Sequence, residues 1–95
     1  MTDQPRPWSL TIGELPAQTL VAMPEALRKA TANYLRALAI EAGGALDLGR
    51  QPPGVRLDGQ GPRYGLQIER EPVLLEYLVL TDIREIRIAV VLWYA

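Results

Sequence analysis

One eight-residue segment constrains the fold of this 95-residue chain more than any other: residues 73–80 are apolar at every position except Glu76. Pro72 stands directly before it, at the first position of a strand, where proline is tolerated. Such a segment is typical of a central strand that is covered on both faces. A chain of this length builds one hydrophobic core, so we expect a single domain over residues 1–95.

Helices are predicted between residues 15 and 42, where alanine, leucine, glutamate and arginine dominate. Pro24 interrupts this stretch, and proline is accepted in a first helical turn but not in a helix interior. We therefore expect a short helix that ends near Met23 and a longer one that begins at Pro24. The glycine pair at 43–44 predicts the end of the second helix.

Strands are predicted on both sides of these helices. Residues 8–12 alternate apolar and hydroxylated side chains, which indicates a first strand. Segments 55–57, 63–69 and 85–94 follow with turns between them. Strict alternation in the last strand places Ile86, Ile88, Val90 and Leu92 on one face and Ala89, Val91 and Trp93 on the other.

The element order β-α-α-β-β-β(-β) predicts an α+β fold, with two N-terminal helices packed on one face of a curved, mainly antiparallel sheet. Two helices cannot cover both faces of such a sheet, so the other face is expected to bind a partner. That partner would contact Leu74, Leu78, Val91 and Trp93.

Composition excludes several classes of function. The chain has neither cysteine nor histidine, which removes thiolate chemistry, the commonest zinc ligand and the commonest general base. A net charge of −1 is too weak for unaided binding of DNA. No metal set and no phosphate-binding glycine loop is present, so we expect no cofactor. The first residues show no leader and no segment is long enough to span a membrane, which indicates a cytoplasmic protein.

Several short motifs occur in the same order as in a known group of bacterial proteins. They are Trp8 at the first strand, Met23-Pro24 before the second helix, Pro52-Pro53-Gly54 before Val55-Arg56-Leu57, Gly61-Pro62-Arg63-Tyr64, Tyr77 in the core strand, and the closing run Ala89–Tyr94. With these motifs the chain resembles the RelE/ParE superfamily, the toxins of type II toxin-antitoxin modules.

The resemblance implies an antitoxin partner, a role in plasmid stabilization and, for RelE-type toxins, inhibition of translation by ribosome-dependent cleavage of messenger RNA. Arginines would stabilise the phosphorane-like transition state and a further side chain would move protons. The family's arginine in the third strand falls on Glu69 or Arg70, and another falls on Leu74. Its last basic pair falls on Tyr94-Ala95, so the catalytic positions are depleted.

The remaining catalytic candidates are Arg56, Arg63, Arg70 and Tyr94. Arg56 and Arg63 are expected to lie near each other across the turn at 59–61, as a two-cation site for one phosphate. A solvated surface with ion pairs is the alternative interpretation of these arginines. A ParE-like protein directed at gyrase, or an inactive module that pairs with a second copy of itself, are the alternatives for the whole chain.

Overall fold

A computed structural model describes residues 6–59 and 61–94 as two helices and one five-stranded sheet. The elements are β1 (Ser9–Ile12), α1 (Glu14–Ala22), α2 (Glu25–Asp47), β2 (Val55–Arg56), β3 (Arg63–Gln67), β4 (Val73–Leu80) and β5 (Glu85–Trp93). The predicted α+β fold is confirmed. Expectations that concern residues 1–5, Gln60 in the 58–61 turn and Ala95 lie outside the described residues.

The sheet has the order β1-β5-β4-β3-β2, and the long apolar strand β4 lies at its centre, as predicted. β1 runs parallel to β5, and the other pairs are antiparallel. Both helices contribute to one core with every second residue of β4. Its buried members include Leu20, Leu35 and Leu38 from the helices, and Leu75, Tyr77, Val79, Ile86, Ile88 and Val91 from the sheet. We call this the helix side of the sheet, and the opposite side the outer face.

Proline separates the two helices as the sequence predicts. α1 ends at Ala22, and Pro24 precedes the first residue of α2 with φ −54°. Proline needs no backbone N–H partner at this position and has its φ already fixed near the helical value. Pro24 itself therefore leaves no backbone donor without a partner where the chain turns between α1 and α2.

The predicted stop of α2 at the glycine pair is wrong. The helix continues through Gly43 and Gly44 to Asp47, and Gly49 adopts the left-handed conformation beyond its end with φ +71°. Gly43 lies against Trp8, so close that a methyl group on Gly43 would be 2.6 Å from the indole Cδ1. Gly43 is thus glycine because the helix and the segment before β1 are in close contact.

A bulge in β5 changes which residues face the core. Glu76 pairs with Val90 and Tyr77 with Ile88, so Ala89 is an extra residue without a partner on β4. One extra residue reverses the alternation of all positions after it. The prediction that Val90 and Leu92 share a face with Ile86 is therefore wrong, since Val91 takes that position and is only 3% exposed.

Trp8, Asp47 and Arg84 connect three separate parts of the chain. The Trp8 indole N–H donates to Asp47 at 3.0 Å, and Arg84 donates to both carboxylate oxygens at 2.9 and 3.0 Å. The Arg84 guanidinium also stacks 4.9 Å from the indole centroid. Hydrogen bonds from Arg84 and then from Trp8 hold the pKa of Asp47 below its ordinary value. This cluster joins the segment before β1 to the end of α2 and the β4–β5 turn.

Thr31 on α2 is fully buried, and its hydroxyl has no hydrogen-bond partner within the described residues. We expect Thr31→Val to raise the free energy of unfolding by about 1 kcal/mol, because valine keeps the shape without a desolvated hydroxyl. The midpoint of urea unfolding, at unchanged slope, measures this. Thr19→Val is the control, since that hydroxyl is bonded to the Leu15 carbonyl at 3.2 Å. A loss of stability in Thr31→Val would contradict the prediction.

Candidate partner-binding site

The outer face of the sheet carries exposed leucines. Leu74 on β4 and Leu92 on β5 are direct cross-strand neighbours, and they are 42% and 58% exposed. Val90 lies next to them on β5 and pairs with Glu76. Side chains on the same face of neighbouring strands lie about 5 Å apart, so these residues form one continuous apolar patch.

Leu57 extends this patch over β3. It follows β2 and its backbone N–H donates to the Arg63 carbonyl at 2.9 Å. Its side chain lies above Gly65, where a methyl group would be 3.0 Å from a terminal carbon of Leu57. Leu57 itself is 49% exposed. The residues Leu57, Gly65, Leu74, Val90 and Leu92, with Glu76 and Gln67 at the rim, line a groove of about 310 Å³.

Two arginines flank Leu78 in a single cross-strand row. Leu78 pairs with Arg63 on β3 and with Arg87 on β5, so both guanidinium groups belong to the outer face. Their Cα atoms are two strand spacings apart, about 10 Å. Arg63 donates to Glu76 at 2.9 Å, with both side chains more than one third exposed. An ion pair this exposed contributes only about 0.5 kcal/mol to folding, so a partner could rearrange it at little cost.

The second ion pair joins Arg87 to Glu85, two residues away on β5, at 2.6 Å. The same Glu85 oxygen accepts a hydrogen bond from the Thr11 hydroxyl at 2.9 Å. The Thr11 hydrogen bond first, and then Arg87, lower the pKa of Glu85. The outer face therefore has an apolar half and a charged half, and the charged half contains two cations and two carboxylates.

Two of the four residues predicted to bind a partner lie on this face. Leu74 and Leu78 do, whereas Val91 is buried in the core. Trp93 pairs with Val73, which is buried on the helix side, so its register position is also on that side. The bulge at Ala89 is the reason for both differences.

The predicted two-cation site is not formed. Arg56 pairs with Tyr64, whose buried side chain lies on the helix side, and Arg56 donates to the Tyr64 hydroxyl at 3.0 Å. Arg63 directly precedes Tyr64 on β3 and therefore faces the opposite side of the sheet. Because neighbouring residues of a strand alternate, β2 and β3 hold these two arginines on different faces.

The other two catalytic candidates lie at the far end of β3. Arg70 is in the β3–β4 turn with φ +69°, and the Tyr94 hydroxyl donates to Gln67 at 3.0 Å. Gln67 is four residues from Arg63, a distance of about 13 Å along a strand. The structure thus brings no two of Arg56, Arg63 and Arg70 together, and Tyr94 is close to the Arg70 end.

Buried tyrosines lie below the outer face on the helix side. Tyr77 stacks on Tyr64 with ring centroids 5.5 Å apart, and its hydroxyl donates to the Pro53 carbonyl. Burial raises the pKa of Tyr77. Its hydroxyl is therefore a protonated donor that fixes the loop before β2, and it serves the fold instead of proton transfer.

Residues 6–59 and 61–94 contain no group of acidic side chains that could hold a metal ion. In the same ranges, neither helix has the length and hydropathy needed to cross a membrane.

The sequence interpretation missed four residues of this candidate site, which are Arg87, Leu57, Val90 and Leu92. Gly65 was the available signal for Leu57, because glycine inside a strand often marks a close approach of another part of the chain. Arg87 alternates with Ile86 and Ile88, so its position on the outer face could have been inferred from that pattern.

No protein-family model matches the chain, and no curated protein matches it in sequence. Solved structures do match. The isolated E. coli RelE toxin has a TM-score of 0.67 at 13% identity, over 93% of this chain and 85% of that one. RelE in the intact E. coli RelBE toxin-antitoxin complex has a TM-score of 0.66 at 12% identity, over 93% of this chain and 98% of that one. A RelE mutant bound to an antitoxin RelB peptide has a TM-score of 0.66 at 12% identity, over 95% and 86%. The chain therefore has the fold seen in the RelE toxin.

Proposed function

We propose that this chain is the toxin-like component of a toxin-antitoxin module, and that an antitoxin polypeptide covers its outer face in the cytoplasm. The observation that carries the proposal is the patch formed by Leu57, Leu74 and Leu92, each more than 40% exposed on the face of the sheet opposite the buried residues of β4. A contiguous apolar patch on a small domain marks an interaction surface. The RelE fold, found in solved complexes with an antitoxin, supports the choice of partner.

The face favours a partner that becomes ordered on binding. Its groove is about 310 Å³ and has Gly65 at its floor. An extended or helical segment gains apolar contacts there at one end and meets the charged row at the other. The antitoxin would therefore place leucine-like side chains over Leu74 and Leu92 and polar side chains near Arg63 and Arg87.

The test is co-expression with each protein encoded directly beside this one. We expect one of them to form a stable complex with the wild-type chain and to relieve the growth arrest caused by this chain alone. The double variant Leu74→Glu/Leu92→Glu should weaken the complex by at least about 100-fold, because two carboxylates then lie where apolar contacts form. Size-exclusion chromatography with light scattering and titration calorimetry measure the complex.

A matched control changes an equally exposed apolar residue elsewhere. Ile40 on α2 is 79% exposed and lies on the helical side of the molecule, so Ile40→Glu should leave the complex unchanged. Circular dichroism verifies that each variant is folded. Loss of binding in Ile40→Glu, or full binding by the double leucine variant, would refute the assignment of the outer face.

RNA cleavage is the second candidate, and the row Arg63–Leu78–Arg87 is the observation that favours it. Two arginines whose Cα atoms are about 10 Å apart on one open face could hold phosphates of a single strand. In primer extension on translating ribosomes, Arg63→Ala and Arg87→Ala should then each reduce cleavage about 100-fold. Arg70→Ala, at the far end of β3, is the comparison. Growth arrest without any RNA cleavage would favour a gyrase-directed activity instead.

A further inference from the structure

We propose that a second copy of this chain packs on the outer face, sheet against sheet, whenever no other protein occupies it. The proposal goes beyond the toxin-antitoxin assignment, because it concerns this chain alone. It rests on three properties of the face: its apolar half, the balance of its charges and its size.

The apolar half of the outer face is exposed to solvent when the chain is alone. Leu57, Leu74 and Leu92 are 49%, 42% and 58% exposed, and both helices of the described chain contribute to the opposite side. Two sheets that pack face to face lie about 10 Å apart and interdigitate their side chains. A second copy brings the same three leucines to the interface, so each apolar half could be buried by its equivalent.

The charged half is balanced in sign. Arg63 and Glu76 form one pair, and Arg87 and Glu85 form the other, so the charged half of the face has no net charge. A face that selects a strongly acidic or strongly basic partner carries an excess of the opposite sign. In a twofold interface the same patch meets itself, and only a patch that contains both signs is complementary to its own copy. The alternating arginines and glutamates satisfy this condition.

The size of the face agrees with a dimer contact. The four neighbouring strands β3, β4, β5 and β1 span about 19 Å, and the eight residues of β4 span about 26 Å. Because β3 has five residues and β1 has four, the projected area is about 400 Å². The accessible area is larger because the leucines stand above the sheet. Stable interfaces bury about 800 Å² per partner, which is the same scale.

Charge reversal tests the proposal with the chain itself. Arg63→Glu leaves two carboxylates at the Arg63–Glu76 pair, and Glu76→Arg leaves two cations there. We expect sedimentation equilibrium at low salt to show a wild-type dimer between about 1 and 500 µM, and each variant alone to associate at least about 10-fold more weakly. An equimolar mixture of the two variants should recover the dimer, because a negative patch then meets a positive one.

Two controls separate this result from a general effect of charge or folding. Arg36→Glu makes the same charge change at an exposed site on α2 and should dimerise like the wild type. Leu74→Glu should fail to dimerise. Its mixture with Glu76→Arg should also associate more weakly than the wild type. A wild-type chain that stays monomeric up to about 500 µM, or a mixture that does not associate, overturns the proposal. Neither outcome bears on the antitoxin complex, which is measured with a different protein.

Discussion

Gly54→Ala is expected to lower the free energy of unfolding by about 3 kcal/mol. Gly54 has φ +96°, a conformation that residues with a Cβ rarely adopt. A Cβ there would lie 2.5 Å from the Gly65 carbonyl oxygen and 3.2 Å from the Leu66 Cβ. The first of these atoms is backbone of β3, so the contact is relieved only if the strand itself moves.

Gly49→Ala is the matched control for backbone strain without contact. Gly49 has φ +71°, and a Cβ at this position would have no other atom within 4 Å beyond its neighbours in the chain. We expect it to cost about 1 kcal/mol, the usual penalty of the left-handed region. Chemical unfolding of both variants gives the difference. Equal losses at the two positions would show that the close approach of Gly54 to β3 is unimportant.

Gly54 also affects the candidate site, because Gly65 forms the floor of the groove below Leu57. A shift of β3 that accommodates a Cβ at residue 54 would change the height of that floor. Binding to the outer face should therefore weaken in Gly54→Ala even in conditions where the variant is fully folded.

The sequence predicts those parts of the fold that depend on local patterns. Pro24 separates the helices because its restriction acts on its own backbone, and residues 73–80 form the central strand because their composition has no other common explanation in so short a chain. The order of helices and strands along the chain then allows only a few strand orders in the sheet. Each of these inferences requires only residues that are close in sequence.

The errors come from contacts between residues that are far apart in sequence. Positions 89–92 are Ala-Val-Val-Leu, so either register of β5 buries apolar residues, and alternation cannot show that Ala89 bulges. Leu74 and Leu78 could be assigned to the outer face because β4 has no bulge. Val91 and Trp93 follow the bulge, so strict alternation predicts the wrong face for both.

The two-cation hypothesis for Arg56 and Arg63 failed for a related reason. A turn brings the ends of two strands together, but the register decides which residues share a face. Here the backbone N–H of Leu57 donates to the Arg63 carbonyl, and Arg56 pairs with Tyr64, one position further along β3. A difference of one position places the two arginines on opposite faces of the sheet. The arginine that shares the outer face with Arg63 is therefore Arg87.

The glycine pair at 43–44 provides the second large prediction, in which two adjacent substitutions have opposite signs. Both residues lie inside α2, where alanine is favoured over glycine by about 1 kcal/mol. Nothing lies within 4 Å of a Cβ on Gly44, so Gly44→Ala should raise the free energy of unfolding by about 1 kcal/mol. Gly43→Ala should lower it by about 2 kcal/mol, because its Cβ meets Trp8.

The difference in sign follows from what Trp8 would have to do. A Cβ on Gly43 would lie 2.6, 2.7 and 3.0 Å from the Cδ1, Cγ and Cβ atoms of Trp8. The Trp8 Cβ is attached to the backbone, so the ring cannot simply rotate away. Displacing Trp8 also breaks its hydrogen bond to Asp47 and its stacking with Arg84.

Thermal unfolding and indole fluorescence distinguish this mechanism from a general effect of helix propensity. Gly43→Ala should lower the melting temperature and, with Trp93→Phe present so that Trp8 is the remaining indole, change the emission. Gly44→Ala should raise the melting temperature with the emission unchanged. The variant Trp8→Leu/Gly43→Ala, compared with Trp8→Leu alone, removes the obstructing ring and should recover the stabilising sign seen at Gly44. If Gly43→Ala stabilises the otherwise wild-type chain, the glycine is not required by its contact with Trp8, and the predicted stop at 43–44 failed for some other reason.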